Sequence, residues 1–208
     1  MHAPAESRRR RLSAAARRQT ILDAATPVFI SAGYEQTRMA DIARRVGVTE
    51  PVVFQNFGTK AALFAAVLEH VAWQAAEHLR RLSEHAGDTL AWLAQLLSPE
   101  HQDRLHTAPM FGVLFAEAHR LHADETVEAA YQRAVHVLAD AAAEILGAAQ
   151  AKGSIRDDVP PATLAWLLIS LIQARQFRRA HSSKRSAALE ADLLAALLSV
   201  LRPRHVAP

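Results

Sequence analysis

Residues 37–60 read TRMADIARRVGVTEPVVFQNFGTK, and their punctuation decides the fold of the first third of the chain. Thr37 suits the N-cap of a short helix over 38–46, with Asp41 near the positive helix end. Ile42 and Val46 stand four residues apart on one side of it. Gly47 breaks that helix and Val48 plugs the turn. Thr49 suits the cap of a second short helix over 50–57, with Pro51 in the first turn, where a missing N–H costs nothing. Gly58 and Thr59 restart the chain, and Lys60 opens a long helix reaching Ser83, with Leu63, Phe64, Val67, Leu68 and Val71 as its inner face. Upstream, a helix over 13–32 carries the apolar stripe Ile21, Leu22, Ala25, Val28 and Phe29. Pro27 is expected to bend it and Gly33 to stop it.

Helices this short do not persist alone. Val28, Phe29, Ile42, Val46, Val48, Val53, Phe57, Leu63 and Phe64 supply a shared core, which leaves Glu50, Val52, Gln55 and Asn56 facing outward. The charge is concentrated in the same region. Residues 1–60 hold ten Lys or Arg against five Asp or Glu, whereas residues 61–208 hold 14 against 16. A basic segment beside two short helices and a Gly turn implies a polyanionic partner, and a helix-turn-helix on double-stranded DNA is the arrangement that uses both. Gln55 or Asn56 would pair with an adenine edge, Glu50 would accept from a cytosine amino group and Val52 would rest on a thymine methyl. Thr37, Arg44, Arg45 and Lys60 suit phosphates. Arg8, Arg9, Arg10 and Arg11 would follow the backbone or enter a narrow minor groove. The bland alternatives are a solvated arginine tail and an ordinary solvated helix face.

Beyond Lys60 the pattern stays helical, with expected spans 88–97, 110–121, 123–152, 161–180 and 184–201, and no strand-like alternation. The expected fold is all-α with about nine helices. A flexible basic arm (1–12) leads to a three-helix helix-turn-helix domain (13–60), followed by a helical ligand-binding and dimerisation domain (61–208). The absence of cysteine removes disulfide and thiolate chemistry. The basic N-terminus lacks the apolar run of a secretory signal, and no apolar stretch suffices to cross a membrane, so a cytoplasmic protein without a membrane partner is expected.

Two late segments are strongly apolar: Leu164, Leu167, Leu168, Leu171 and Ile172, then Leu189, Leu193, Leu194, Leu197, Leu198 and Leu201. Burial against a second copy is the economical account, and an intrachain core is the alternative. Leu164, Leu168, Leu171, Ile172, Leu193, Leu194, Leu197 and Leu198 are the candidate interface. Trp73, Trp92, Phe111, Phe115, Tyr131 and Trp166 are candidate walls of a cavity for an apolar or aromatic effector, with His106, His119 and Gln173 as polar anchors. Plain core is the competing role for each aromatic. His101, Asp103 and His106, and again Glu117, His119 and His122, lie close in sequence but lack zinc-site spacing. Neither a phosphate-binding Gly loop nor a nucleophile elbow occurs. No cofactor, metal or catalytic activity is therefore expected. A helical adaptor with only non-specific DNA affinity, and a metal-binding or catalytic bundle, remain as other classes.

The stretch 19–67 resembles the TetR family of bacterial transcriptional regulators. The resemblance is carried by Ile21-Leu22-Asp23-Ala24-Ala25, Phe29, Gly33-Tyr34, Thr37, Ile42-Ala43, Gly47-Val48, Phe54, Phe57, Lys60 and Leu63-Phe64, over about a quarter of the chain. It implies a homodimer on a palindromic operator, most often a repressor, released by a small molecule held in the helical body. It also implies that the last two helices pair across the dimer axis as a four-helix bundle. Two positions depart from the family pattern. Phe54 stands where a phosphate-binding tyrosine is common, and Pro51 where a small residue is common.

Overall fold

The computed structural model describes residues 13–101, 111–181 and 186–203. Among them the chain is helical, without strands: α1 (Ala14–Gln36), α2 (Met39–Val46), α3 (Glu50–Phe57), α4 (Lys60–Glu84), α5 (Thr89–Leu97), α6 (Phe111–Arg120), α7 (Glu125–Ala151), α8 (Pro161–His181) and α9 (Ser186–Leu201). Residues 99–101 form a further helical turn. Short polar side chains start several of these helices by taking up backbone donors that have no partner inside the helix. Ser13 accepts from the Ala16 N–H at 3.1 Å, Thr59 from Ala62 at 3.0 Å, Asp88 from Leu90 and Ala91, and Asp124 from Thr126 and Val127.

One local expectation is met and one corrected. The first helix keeps helical dihedrals through Pro27 and breaks at Gly33 as expected, at a φ of 75° that is open to glycine, before one more turn to Gln36. Thr37 does not cap α2. It ends α1, 2% exposed, and its hydroxyl donates back to the Gly33 carbonyl at 2.6 Å, while Arg38 takes the N-cap position without a side-chain bond. Gly47 closes α2 as expected, left-handed at φ 76°, with Val48 N–H bonding to the Ala43 carbonyl at 3.0 Å. Thr49 holds the N-cap position of α3 through its backbone alone.

One apolar core runs from α1–α3 into the body without a gap. Ile21, Phe29, Ile42, Val53 and Phe57 share it with Leu63, Phe64, Leu114, Phe115, Ala118, Val127 and Ala134. Phe64 is its pivot, meeting Phe29 edge-on at 5.0 Å and Tyr34 edge-on at 5.2 Å. Residue 60 is thus a change of chain direction (α3 and α4 meet at 68°) rather than a division of the core. A second core lies at the far end, where Leu93 of α5, Leu146 and Ala149 of α7, Ile155, Leu164 and Leu168 of α8, and Leu197 and Leu201 of α9 pack together. Arg156 fastens α9 there, its N–H reaching the Leu201 carbonyl at 2.9 Å.

Truncating Phe64, which is fully buried, should cost about 3–5 kcal/mol. Because the first core is continuous, α1–α3 should not melt separately from the body. Urea unfolding followed by circular dichroism checks both points; two resolved transitions in the wild type would contradict the continuity.

Candidate nucleic-acid interface

α2 and α3 are eight residues each and are held by what lies beneath them. Met39, Ile42 and Ala43 of α2 and Val53 and Phe57 of α3 are buried. With those positions inward, helical periodicity turns Glu50, Pro51, Phe54 and Gln55 out to solvent, and Val52 and Asn56 sit half-buried at the flanks. The outward face thus contains Glu50 and Gln55 from the expected set. Asn56 is more occupied than expected, since its Nδ2 donates back to the Val52 carbonyl at 2.7 Å. Phe54 was overlooked as a surface group. It is 43% exposed, and its spacing four residues after Glu50 was the available signal.

The cations around this face divide into two kinds. Arg44 and Arg45 are exposed; Arg44 pairs with Asp41 at 3.1 Å in a surface contact of the weak kind, which a phosphate can displace. Arg38 is exposed as well, at the start of α2. Lys60, expected to meet phosphate, has its ammonium on the Tyr34 carbonyl at 3.0 Å and the Glu35 carbonyl at 3.3 Å, 4.3 Å above the Tyr34 ring. A cation at the negative end of α1 is favourable, and so is one over an aromatic face. Burial, followed by the Asp124 and Glu35 carboxylates, pushes the Tyr34 phenol above its usual range, so the ring stays neutral beneath Lys60. Thr37, also expected at phosphate, is buried and its hydroxyl is committed to Gly33. Arg18, which the sequence reading did not single out, donates to the Asn56 carbonyl at 2.6 Å and lies 4.1 Å over the Phe57 ring. The arm carrying Arg8–Arg11 lies outside the described residues.

Two short helices joined by a left-handed glycine turn, the second with a polar face raised above a buried seam, is helix-turn-helix geometry. Residues 21–67 match the family described as bacterial regulatory proteins, tetR family. This segment belongs to the TetR family. Among its relatives is the transcriptional activator FasR of Mycolicibacterium smegmatis, 44% identical over 68 residues, a match spanning 32% of this chain and 31% of that protein. Another is the transcriptional repressor Rv3405c of Mycobacterium tuberculosis, 47% identical over 51 residues, 24% of this chain and 27% of that one. The chain therefore spans about a third or less of the length of these curated relatives. A TetR-family regulator from Rhodococcus shares the fold more widely, with a TM-score of 0.69 at 22% identity over 89% of this chain and 98% of its own.

In the helical body, the described candidate cavity residues do not surround one space. Phe115, Tyr131, His119 and Gln173 do come together: the Phe115 and Tyr131 rings are 5.7 Å apart, those of His119 and Tyr131 6.3 Å, and Gln173 donates to the Tyr131 hydroxyl at 3.2 Å. Trp92 packs instead on the far core, and Trp73 and Trp166 stand 57% and 42% exposed. His106 and the Phe111 side chain lie outside what is described. The candidate interface is corrected likewise. Leu164, Leu168 and Leu197 are buried within the protomer, because they form the inward stripe on which α8 and α9 pack against α5 and α7. Leu171, Ile172, Leu193, Leu194 and Leu198 are half-buried, and the large exposed apolar groups among the described residues of these helices are Trp166, Leu167, Leu189 and Val200. No group of three or more metal-binding side chains occurs among the described residues, and no single described helix is long and apolar enough to cross a membrane.

Gln55→Ala should remove discrimination at particular bases, by about 1–3 kcal/mol per lost bidentate contact, and leave general duplex affinity nearly unchanged. Competition binding with single-base operator variants measures this; an intact preference would move base reading off Gln55. Lys60→Ala should lower the stability of the free protein by about 1–2 kcal/mol, since two charge-assisted bonds to α1 are lost. Denaturation without DNA checks it, and an unchanged midpoint would return Lys60 to a purely DNA-facing role.

Proposed function

We propose that this chain is a sequence-specific transcriptional regulator that binds a palindromic operator as a homodimer, represses the adjacent promoter and is released by a small apolar effector. The observation that carries this reading is the outward face of α3, with Glu50, Phe54 and Gln55 exposed above a buried Val53–Phe57 seam and exposed Arg38, Arg44 and Arg45 on the preceding helix. Exposed donors and acceptors on a rigid mount suit base edges, and exposed guanidiniums suit phosphates. A nucleophile and base pair has no counterpart on this face, and the relatives are named as regulators, so catalysis is not part of the reading.

Homodimerisation is supported by the apolar groups left on the last two helices. Trp166 and Leu167 are 42% and 44% exposed, and Leu189 and Val200 38% and 42%. Large side chains of this kind concentrated on two adjacent helices mark an association surface, and a second copy covers it with the same surface. Two heads on two half-sites also multiply affinity, provided the recognition helices sit about one duplex turn, or a multiple of it, apart. Repression is the default effect of occupying a promoter-proximal site, although relatives carry both signs. For the effector, the group around Tyr131 is the best-supported place, since it joins α6, α7 and α8 and abuts the core shared with α1–α3.

Selection of bound duplexes from a random library at near-physiological salt should enrich a palindrome. Enrichment of nothing by folded dimeric protein would favour an adaptor with only salt-sensitive, sequence-indifferent affinity. Leu167→Glu should give a helical monomer by sedimentation, with operator affinity reduced at least a hundredfold; a variant that stays dimeric would place the interface elsewhere.

A further inference from the structure

We propose that Arg18 is a positioning residue for the recognition helix: it clamps the C-terminal end of α3 and so sets the roll of its base-reading face, rather than binding phosphate. The proposal rests on the DNA-binding reading of α3 and adds to it what fixes that helix.

α3 spans eight residues, roughly 12 Å at the rise of an α-helix. Only Val53 and Phe57 are buried beneath it. Four residues apart, they lie almost on one line along the helix. Two points on a line fix where the helix lies but resist rocking about that line only weakly, with Val52 and Asn56 half-buried at its flanks. Rocking is the motion that would swing Glu50, Phe54 and Gln55 across a groove. A third attachment off the line stops it, and Arg18 supplies one from α1, 38 residues away in sequence.

The chemistry of the contact suits a clamp. The carbonyls at the end of a helix lack internal partners and carry the negative end of its dipole. In α3 the Phe54 carbonyl receives the Gly58 N–H at 2.7 Å, the Phe57 carbonyl receives Thr59 at 2.9 Å, and the Asn56 carbonyl receives Arg18 at 2.6 Å. The same guanidinium lies 4.1 Å over the Phe57 ring, so one planar cation grips a backbone acceptor and a buried ring together. A lysine carries equal charge but lacks the planar fork that meets both. Displacement of a reading face by about 1 Å is enough to spoil its contacts, so the clamp acts on specificity.

The test compares wild type, Arg18→Gln and Arg18→Lys on the library-selected duplex and on single-base variants of it, over a range of salt. The expected result is at least a tenfold loss of affinity for the selected duplex in both variants. The ratio between matched and mismatched duplexes should shrink, and the salt slope should match wild type. A phosphate contact would behave differently: Arg18→Gln would flatten the slope by about 0.9 per contact, discrimination would survive and Arg18→Lys would restore binding. That pattern, or no change in affinity and discrimination, overturns the proposal.

Amide hydrogen exchange in the absence of DNA reads the clamp separately. Exchange in the last turn of α3 should accelerate at least tenfold in Arg18→Gln, while the amides of α4 stay as protected as in wild type. Unchanged exchange in α3 overturns the clamp; a wild type that enriches no duplex refutes the regulator reading and leaves the exchange result to decide the clamp. Phe57→Leu provides a second probe, since removing the ring in an Arg18→Gln background should cost less affinity than removing it alone.

Discussion

Phe64 occupies the point where the molecule is held together. It projects from α4, is fully buried, and meets Phe29 and Tyr34 of α1 edge-on. The same core takes in Leu114, Phe115 and Ala118 of α6 and Val127 of α7. An eight-residue helix gains too few backbone bonds to offset the entropy of its own ordering, so α2 and α3 exist only because this core accepts their apolar sides. The outward face of α3 is therefore a consequence of packing that begins in the body. Any change in how α6 or α7 packs has a short path to the reading face, because no solvent-filled hinge intervenes.

The basic segment shows how one kind of side chain serves two ends. Arg38, Arg44 and Arg45 are exposed. Lys60 and Arg18 are spent on helix C-termini and aromatic rings within the same domain. Both arrangements are favourable for the same reason, since carbonyl oxygens at a helix end and phosphate oxygens are both clustered acceptors bearing negative charge. Net charge alone does not separate the two uses. A count of positive residues overstates the number available to a polyanion wherever helix ends lie within reach.

At the far end, α8 and α9 join through a polar device set among leucines. Glu190 of α9 receives both arms of the Arg178 guanidinium at 2.7 and 2.8 Å and lies 3.8 Å from Arg175. Glu190 and Arg175 are 7% and 5% exposed. A buried ion pair adds little net stability against an apolar alternative, but separating its partners is costly. It fixes how the two helices meet where leucines on either side would tolerate a slip. Registered in this way, α8 and α9 present Trp166, Leu167, Leu189 and Val200 outward.

Much was legible in the chain itself. Caps, glycine stops and 3.6-residue periodicity are local properties, so the succession of helices and the turn at Gly47 could be read from residues close in sequence. The buried seam of α3 and the exposure of Glu50 and Gln55 followed from the same periodicity. What the chain could not disclose were choices among equivalent residues. Both stripes of α8 are apolar, and only the packing of α5, α7 and α9 determined that Leu164 and Leu168 turn inward and Trp166 and Leu167 outward. Thr37 had two helix ends to serve, and the glycine break at Gly33 gave its hydroxyl to the first. Arg18 and Asn56 are 38 residues apart, a pairing without a local signature. Sequence by itself determined which segments are helical and which residues are able to face a nucleic acid. Tertiary structure decided which of those residues are free to do so, because hydrogen-bond partners and burial are set by neighbours distant in the chain.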